Sequence, residues 1–245
     1  GDIQVDVLCA KLKSRFGVET ELKPARVAYR EKIKGKVEAH GRHKKQSGGS
    51  GQFGDVWIRF EPQDEQDDMI FAEEVFGGSV PKNFFPSVEK GLRNAVQKGV
   101  LAGYPLVGLK ATLYDGSYHP VDSNDMAFQT AARLAYQDGI PKAKPTILEP
   151  IGLLQVTIPD ANLGDIMSDI SSKRRGTVLG MNAEDGMQTV EAEVPMAEMS
   201  SYTIDLRSMT QGRGSFTCKF IRYEEAPGNV QQKVIEEAKA LAEAE

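Results

Sequence analysis

Between residues 153 and 223 the apolar positions alternate between strand period and helix period in a fixed order. This constrains the fold more than any other feature of the chain. A strand pattern covers 153–158, a helix pattern 163–173, strand patterns 177–181 and 188–194, a helix pattern 196–206 and a last strand pattern 216–223. The order βαββαβ is that of the ferredoxin-like split βαβ unit. Met196, Met199 and Met209 fall at helical spacing and read as core rather than as a binding stripe. Residues 229–245 form a further amphipathic helix with an acidic outer face.

Lys142 to Pro150 contains two prolines and reads as a linker. Upstream of it, residues 25–140 form a second unit. It holds an extended run over 27–39, a strand alternating through Val56, Ile58 and Phe60, and an extended segment over 71–80. A helix opened by Pro86 buries Val88, Leu92, Ala95 and Val96 and ends by Gly103. A strand over 107–113 leads into a turn-rich loop, 114–120. Asp122 or Ser123 caps a helix that buries Met126, Ala127, Ala131, Leu134 and Ala135. The first residues alternate as Ile3, Val5 and Val7, like a strand. Residues 6–16 then read as a helix with Val7, Leu8, Leu12 and Phe16 inward, stopped by Gly17, before an extended run over 18–22. A start at Gly1, directly in a secondary-structure pattern, suggests part of something longer.

Residues 44–54 cannot pack a core: Lys44 and Lys45 run into Gln46, Ser47, Gly48, Gly49, Ser50, Gly51 and Gln52, and Gly54 follows. Such a segment suits backbone approach to phosphates. Gly49, Gly51 and Gly54 spell G-x-G-x-x-G, yet the next residues alternate as a strand, whereas a dinucleotide fingerprint opens a helix. The kinase form lacks its V-A-I-K, H-R-D and D-F-G partners, and Asp55 stands where a Walker loop needs Lys. A phosphate-binding enzyme is therefore the weaker reading, and an unliganded hairpin loop is the plain one. His119, between Asp115 and Asp122, is a poor catalytic centre with no matching nucleophile and a better RNA contact. His40 and His43, three apart in an extended segment, resemble no metal set.

The net charge of −5 argues against a generic nucleic-acid coat. Its distribution is uneven: residues 1–45 carry twelve Lys/Arg against six Asp/Glu, a local +6 that leaves −11 for the rest. Polyanion contacts must then use local patches. Lys173, Arg174 and Arg175 at a helix end, and Arg213 in a turn, are the weaker candidates; a capping role explains the first three as well. Two distant cysteines, Cys9 and Cys218, suggest neither a metal set nor a disulfide framework, and point to a reducing cytoplasm. No apolar run reaches membrane-spanning length.

Four strings together resemble bacterial elongation factor G: 45–49, 99–105, 114–123 and 206–216. The resemblance runs from Gly1 to about Asn229. It implies an α+β, multi-domain chain: a partial ferredoxin-like remnant of domain III over 1–23, and an elongated α/β domain IV with a left-handed βαβ crossover over 24–142. A ferredoxin-like domain V over 143–226 and a C-terminal helix over 227–245 complete it. It also implies a tip of two loops, 43–54 and 114–122, that enters the small-subunit decoding region behind the tRNA–mRNA complex. Lys44, Lys45, Gln46, Ser47, Gly48, Gly49, Ser50, Gly51, Gln52, His119 and Asp122 would touch RNA there. Lys173, Arg174, Arg175 and Arg213 would face the large-subunit factor-binding region. The resemblance implies a cytoplasmic, monomeric ribosome partner with no membrane contact, and no cofactor in this chain. GTP, Mg²⁺ and hydrolysis would belong to a GTPase domain outside it. Alternatives within the fold are an elongation-factor-G-like paralog and a tetracycline-resistance ribosomal protection protein. Ser50 stands where the usual factor has Arg, Asp55 where it commonly has His, and Pro120 where an acid follows the tip His. Gly54, Asp55, Val56 and Trp57 look more like the paralog.

Overall fold

The computed structural model describes residues 2–16 and 26–245. By internal contacts the chain divides into two compact units, one of residues 29–148 with 225–245 and one of residues 149–224 with the described residues before 29. The expected run over 18–22, and the boundary near residue 24, lie outside the described residues.

In the first unit a four-stranded sheet has the order β2-β3-β5-β4, from β2 (Val37–Lys45), β3 (Gln52–Pro62), β4 (Ile70–Glu73) and β5 (Leu109–Ser117). The first three strands pair antiparallel, whereas β4 runs parallel to β5 and reaches it through helix α2 (Phe85–Ala95). Alternation decides the faces: Val56, Ile58, Phe60, Ala111 and Leu113 are buried beneath α2 and α3 (Asp125–Gly139), while Trp57 and Arg59 point the other way. Each large aliphatic or aromatic side chain so buried contributes about 1.5–3 kcal/mol. Glycines let α3 lie directly on the hairpin. A Cβ at Gly41 would sit 1.9 Å from the Ala131 carbonyl oxygen, and one at Gly54 2.5 Å from that of Ala127.

Several expectations need correction here. The run over 27–39 is two strands, because β1 (Arg30–Ile33) leaves the sheet path to pair with the start of β6 (Pro145–Pro159). The segment 142–150 is no linker: β6 starts at Pro145, where a proline at the first strand position removes no needed donor. The extended segment over 71–80 shrinks to β4. Helix α2 stops at Ala95, eight residues before Gly103, and Met126 on α3 is 60% exposed. The cap of α3 is Asn124, whose side chain accepts from the Ala127 N–H at 2.8 Å.

Helix α6 (Gly228–Ala244) is held to this unit through Gln231. Its amide oxygen accepts from the Ile147 N–H, and its amide nitrogen donates to Thr146 Oγ1 and the Ala226 carbonyl.

The second unit has the expected βαββαβ order: β6, α4 (Leu163–Ser168), β7 (Thr177–Glu184), β8 (Met187–Pro195), α5 (Tyr202–Thr210) and β9 (Ser215–Glu225). β6 lies between β9 and β8, and β7 is the outer strand beyond β8. Leu154, Val156, Ile158, Ile166, Ile170, Val190, Ala192, Val194, Tyr202 and Leu206 form the core, with Met199 and Met209 packed against it. At the other end of the chain, α1 spans Asp2–Phe16, so the alternation of Ile3, Val5 and Val7 is helical; residues 3 and 7 also stand at i and i+4. Val7 and Leu8 are exposed rather than inward. Among the described residues no helix is long and apolar enough to cross a membrane.

Candidate nucleic-acid interface

The β2–β3 hairpin is longer than its glycines suggest. His43 faces Gly54, Lys44 faces Phe53 and Lys45 faces Gln52 in the ladder, so the loop proper is residues 46–51. Lys44, Lys45 and Gln52 thus stand on strands, not in the loop. His43 Nε2 donates to Gln52 Oε1 at 2.8 Å, and the Arg42 guanidinium lies over the Phe53 ring at 5.4 Å. Beyond Lys45, Gln46, Ser47, Gly48, Gly49 and Ser50 are all exposed. Gly48 has φ 71° with open space around its Cβ position, a conformation that favours glycine.

The second connection also starts later than expected, since β5 continues to Ser117. Residues 118–124 then fold back on the hairpin. The Phe53 N–H donates to the Asp122 carbonyl at 2.9 Å, and Ser123 Oγ donates to the Phe53 carbonyl at 2.8 Å. The His119 N–H donates to Ser123 Oγ at 2.9 Å. Gly51 lies against the Asp122 carboxylate, whose carbon would be 2.7 Å from a Cβ there. Ser123 is occupied with this junction, which explains why Asn124 takes the helix cap. The sequence signal for the junction was only a short polar residue between two elements.

His119 is oriented by backbone. The N–H groups of Val121 and Asp122 donate to its Nδ1 at 3.2 and 3.0 Å. The neutral ring therefore carries its proton on Nε2, and it is 42% exposed. This end of the sheet presents two lysines, exposed loop backbone and one imidazole donor, with no nucleophile aligned on the histidine.

Asp55 does not face this surface as a free anion. Its carboxylate, 14% exposed, accepts from His40 Nε2 and from Ser117 Oγ at 2.6 Å. The His40 ring stacks on Trp57 at 4.4 Å and 11°. These groups tie β2, β3 and β5 together just below the loops.

In the second unit the basic run divides. Lys173 is 64% exposed, 3.5 Å from Asp205, and Arg213 is exposed in the turn after α5. Arg174 is buried at 1% exposure. Its Nε donates to Asp169 at 2.7 Å and its Nη1 to the Glu198 carbonyl at 2.7 Å. Its Nη2 binds Asp205, and its guanidinium lies over the Tyr202 ring at 4.6 Å. Burial works against this charge, but the hydrogen bonds to Asp169 and Asp205 outweigh it and hold the proton tighter than usual. Arg175 forms a fork with Glu149 at 3.0 and 2.9 Å and also reaches Glu198. Arg174, expected at an RNA surface, is an internal strut, and Arg175, expected there too, is 28% exposed and paired to two acids. A residue pattern alone does not separate a solvated cation from one matched by distant acids.

Two family models match this chain: "Elongation factor G, domain IV" over residues 25–144 and "Elongation factor G C-terminus" over residues 146–234. A Thermotoga maritima protein named "Elongation factor G-like protein" is 49% identical over 238 residues, 97% of this chain and 35% of its own length. A crystal structure of a Thermus thermophilus protein is 42% identical with a TM-score of 0.85, covering 98% of this chain and 36% of that one. The chain thus spans about a third of the length of these relatives.

Proposed function

The chain belongs to the elongation factor G family, and from that premise we propose that it is the ribosome-engaging part of a cytoplasmic translational GTPase. The 29–148 unit would act as domain IV and the 149–224 unit as domain V. The first would place its two-loop end in the small-subunit decoding region against the tRNA–mRNA complex, promoting translocation. The observation that carries this reading is the junction at Phe53. Asp122 accepts from its backbone N–H and Ser123 donates to its carbonyl, so the hairpin and the His119 loop form one body.

A rigid end with few cations suits a moving RNA groove. Lys44 and Lys45 would contact phosphates, and Gln46, Ser47 and the His119 Nε2–H would hydrogen-bond or stack, while backbone at Gly48 and Gly49 approaches closely. Gln52 and Asp122 would act by shaping the loops. Lys173 and Arg213 remain candidates for large-subunit contacts. GTP and Mg²⁺ would be handled by a part of the longer protein outside this chain.

A paralogous role is favoured by the 49% identity to a relative named "Elongation factor G-like protein". Asp55, with His40, Ser117 and the Trp57 stack, makes a polar strut beneath the tip. The test is deletion of residues 47–51 in the full-length protein. Ribosome-stimulated GTP hydrolysis should persist while translocation slows by about tenfold or more, about 1.4 kcal/mol in the barrier. Loss of hydrolysis with no separate effect on translocation would sink the assignment.

A further inference from the structure

Phe76 is 93% exposed, more than any other large apolar side chain among the described residues. Its place in the fold is specific. β4 runs parallel to β5, with Glu73 opposite Leu113, so the chain leaves β4 toward the end of β5 that leads through Ser117 into the His119 loop. It returns at Val80, whose Cγ2 would be 2.7 Å from a Cβ at Gly116. Between these points Gly77 and Gly78 both have φ 69° and open space around them. Two successive left-handed residues hold Phe76 away from the body of the unit. The connection after β4 is therefore a third loop at the same end of the sheet as the other two.

We propose that Phe76 is a stacking platform for one unpaired RNA nucleobase, making the interface three-looped; this rests on the RNA-binding reading of that end. The chemistry of this end of the sheet favours RNA over an apolar protein groove. Lys82 is an exposed cation six residues on from Phe76, Lys44 and Lys45 are exposed on the opposite edge strand at the same end, Tyr118 on the loop after β5 is a second ring at 48% exposure, and His119 offers a donor. The two acids beside Phe76 are engaged. Glu73 accepts from the Val75 N–H at 3.0 Å, and Glu74 binds Arg59 at 3.2 Å. A base stacks on an aromatic face whatever its identity.

The test uses full-length protein and intact ribosomes. Phe76→Ala and Phe76→Leu should each weaken ribosome affinity about tenfold, with Phe76→Trp close to wild type. Melting temperature should not move, because the side chain is outside the core. The salt dependence of binding should keep its slope in these variants, whereas Lys44→Ala and Lys45→Ala should each lower it by about one. A photo-crosslinking phenylalanine analogue at position 76 should label RNA, and sequencing the adduct separates ribosomal RNA from tRNA and mRNA. Unchanged affinity in Phe76→Ala, full affinity in Phe76→Leu, or a crosslink to protein would overturn the proposal. Wild-type protein that fails to bind ribosomes, or Lys44→Ala and Lys45→Ala without effect, would overturn the underlying RNA reading instead.

Discussion

Ser123 Oγ donates to the Phe53 carbonyl at 2.8 Å, and in the same junction the Phe53 N–H donates to the Asp122 carbonyl at 2.9 Å. One residue at the mouth of the hairpin thus has both its backbone N–H and its backbone carbonyl bonded to the loop that carries His119. The loops behave as an extension of the sheet rather than as two independent flaps. A force on either loop is passed into β3 and, through Gly54 against Ala127, into α3.

Ser123→Ala tests this coupling. It removes the donor to Phe53 and the acceptor for the His119 N–H together. The expected loss is about 1–2 kcal/mol in urea denaturation. Amide exchange should accelerate at Phe53, His119 and Asp122. Unchanged exchange at all three would mean that packing alone holds the loops.

Gly54→Ala and Gly48→Ala should separate glycine's two roles. At Gly54 a methyl would lie 2.5 Å from a helix carbonyl, and backbone cannot yield cheaply. A loss of about 3 kcal/mol is expected from overpacking. At Gly48 there is open space, and the only cost is the left-handed backbone, roughly 1–2 kcal/mol. Equal losses in chemical denaturation would refute the distinction.

Much of this was legible in the chain. The alternation of Val56, Ile58 and Phe60, the Pro86 start of α2 and the βαββαβ order reflect burial on one face, which is a local periodic signal. The misreadings share a cause: they depend on partners distant in sequence. Pro145 and Pro150 punctuate like a linker, yet residues 145–148 pair with β1. Arg174 and Arg175 read as surface cations until Asp169, Asp205, Glu149 and Glu198 are seen around them. Asp55 stood out in the sequence only as a departure from the usual residue, because His40 and Ser117 reach it only across the sheet. Phe76 gave no sequence signal beyond an aromatic before two glycines.

Tyr202 has a buried hydroxyl without a hydrogen-bond partner. Burial, with Asp169 adding to it, pushes its phenol up to about 12. A raised folded value means its contribution to stability is intact below the ordinary value of about 10 and lost as pH rises through 12. Tyr202→Phe should stabilise by about 1 kcal/mol at pH 7, since it removes an unsatisfied polar group and keeps the ring under Arg174. It should also remove part of the alkaline loss. Clear destabilisation in the melting curve would show that the hydroxyl has a partner in solution.

The Arg174–Asp205 pair contributes to the acid sensitivity of the second unit. Hydrogen bonds from Arg174, then from Ser201, hold the Asp205 carboxyl below its ordinary value of 3.8. With a depressed folded value, the unfolded chain binds the proton first. The stabilisation is therefore complete above the ordinary value and disappears as pH falls from there through the folded value. Asp205→Asn should flatten the acid limb of a urea-midpoint profile below about pH 5. Arg174→Ala is the harsher change, leaving Asp169 and Asp205 facing each other with the guanidinium gone. A loss of about 3–5 kcal/mol is expected, as for a buried pair broken on one side. Lys173→Ala, next in sequence but 64% exposed, should change stability by less than about 0.5 kcal/mol. If Arg174→Ala proved as mild as Lys173→Ala, the guanidinium would have to be at the surface, where the sequence pattern first put it.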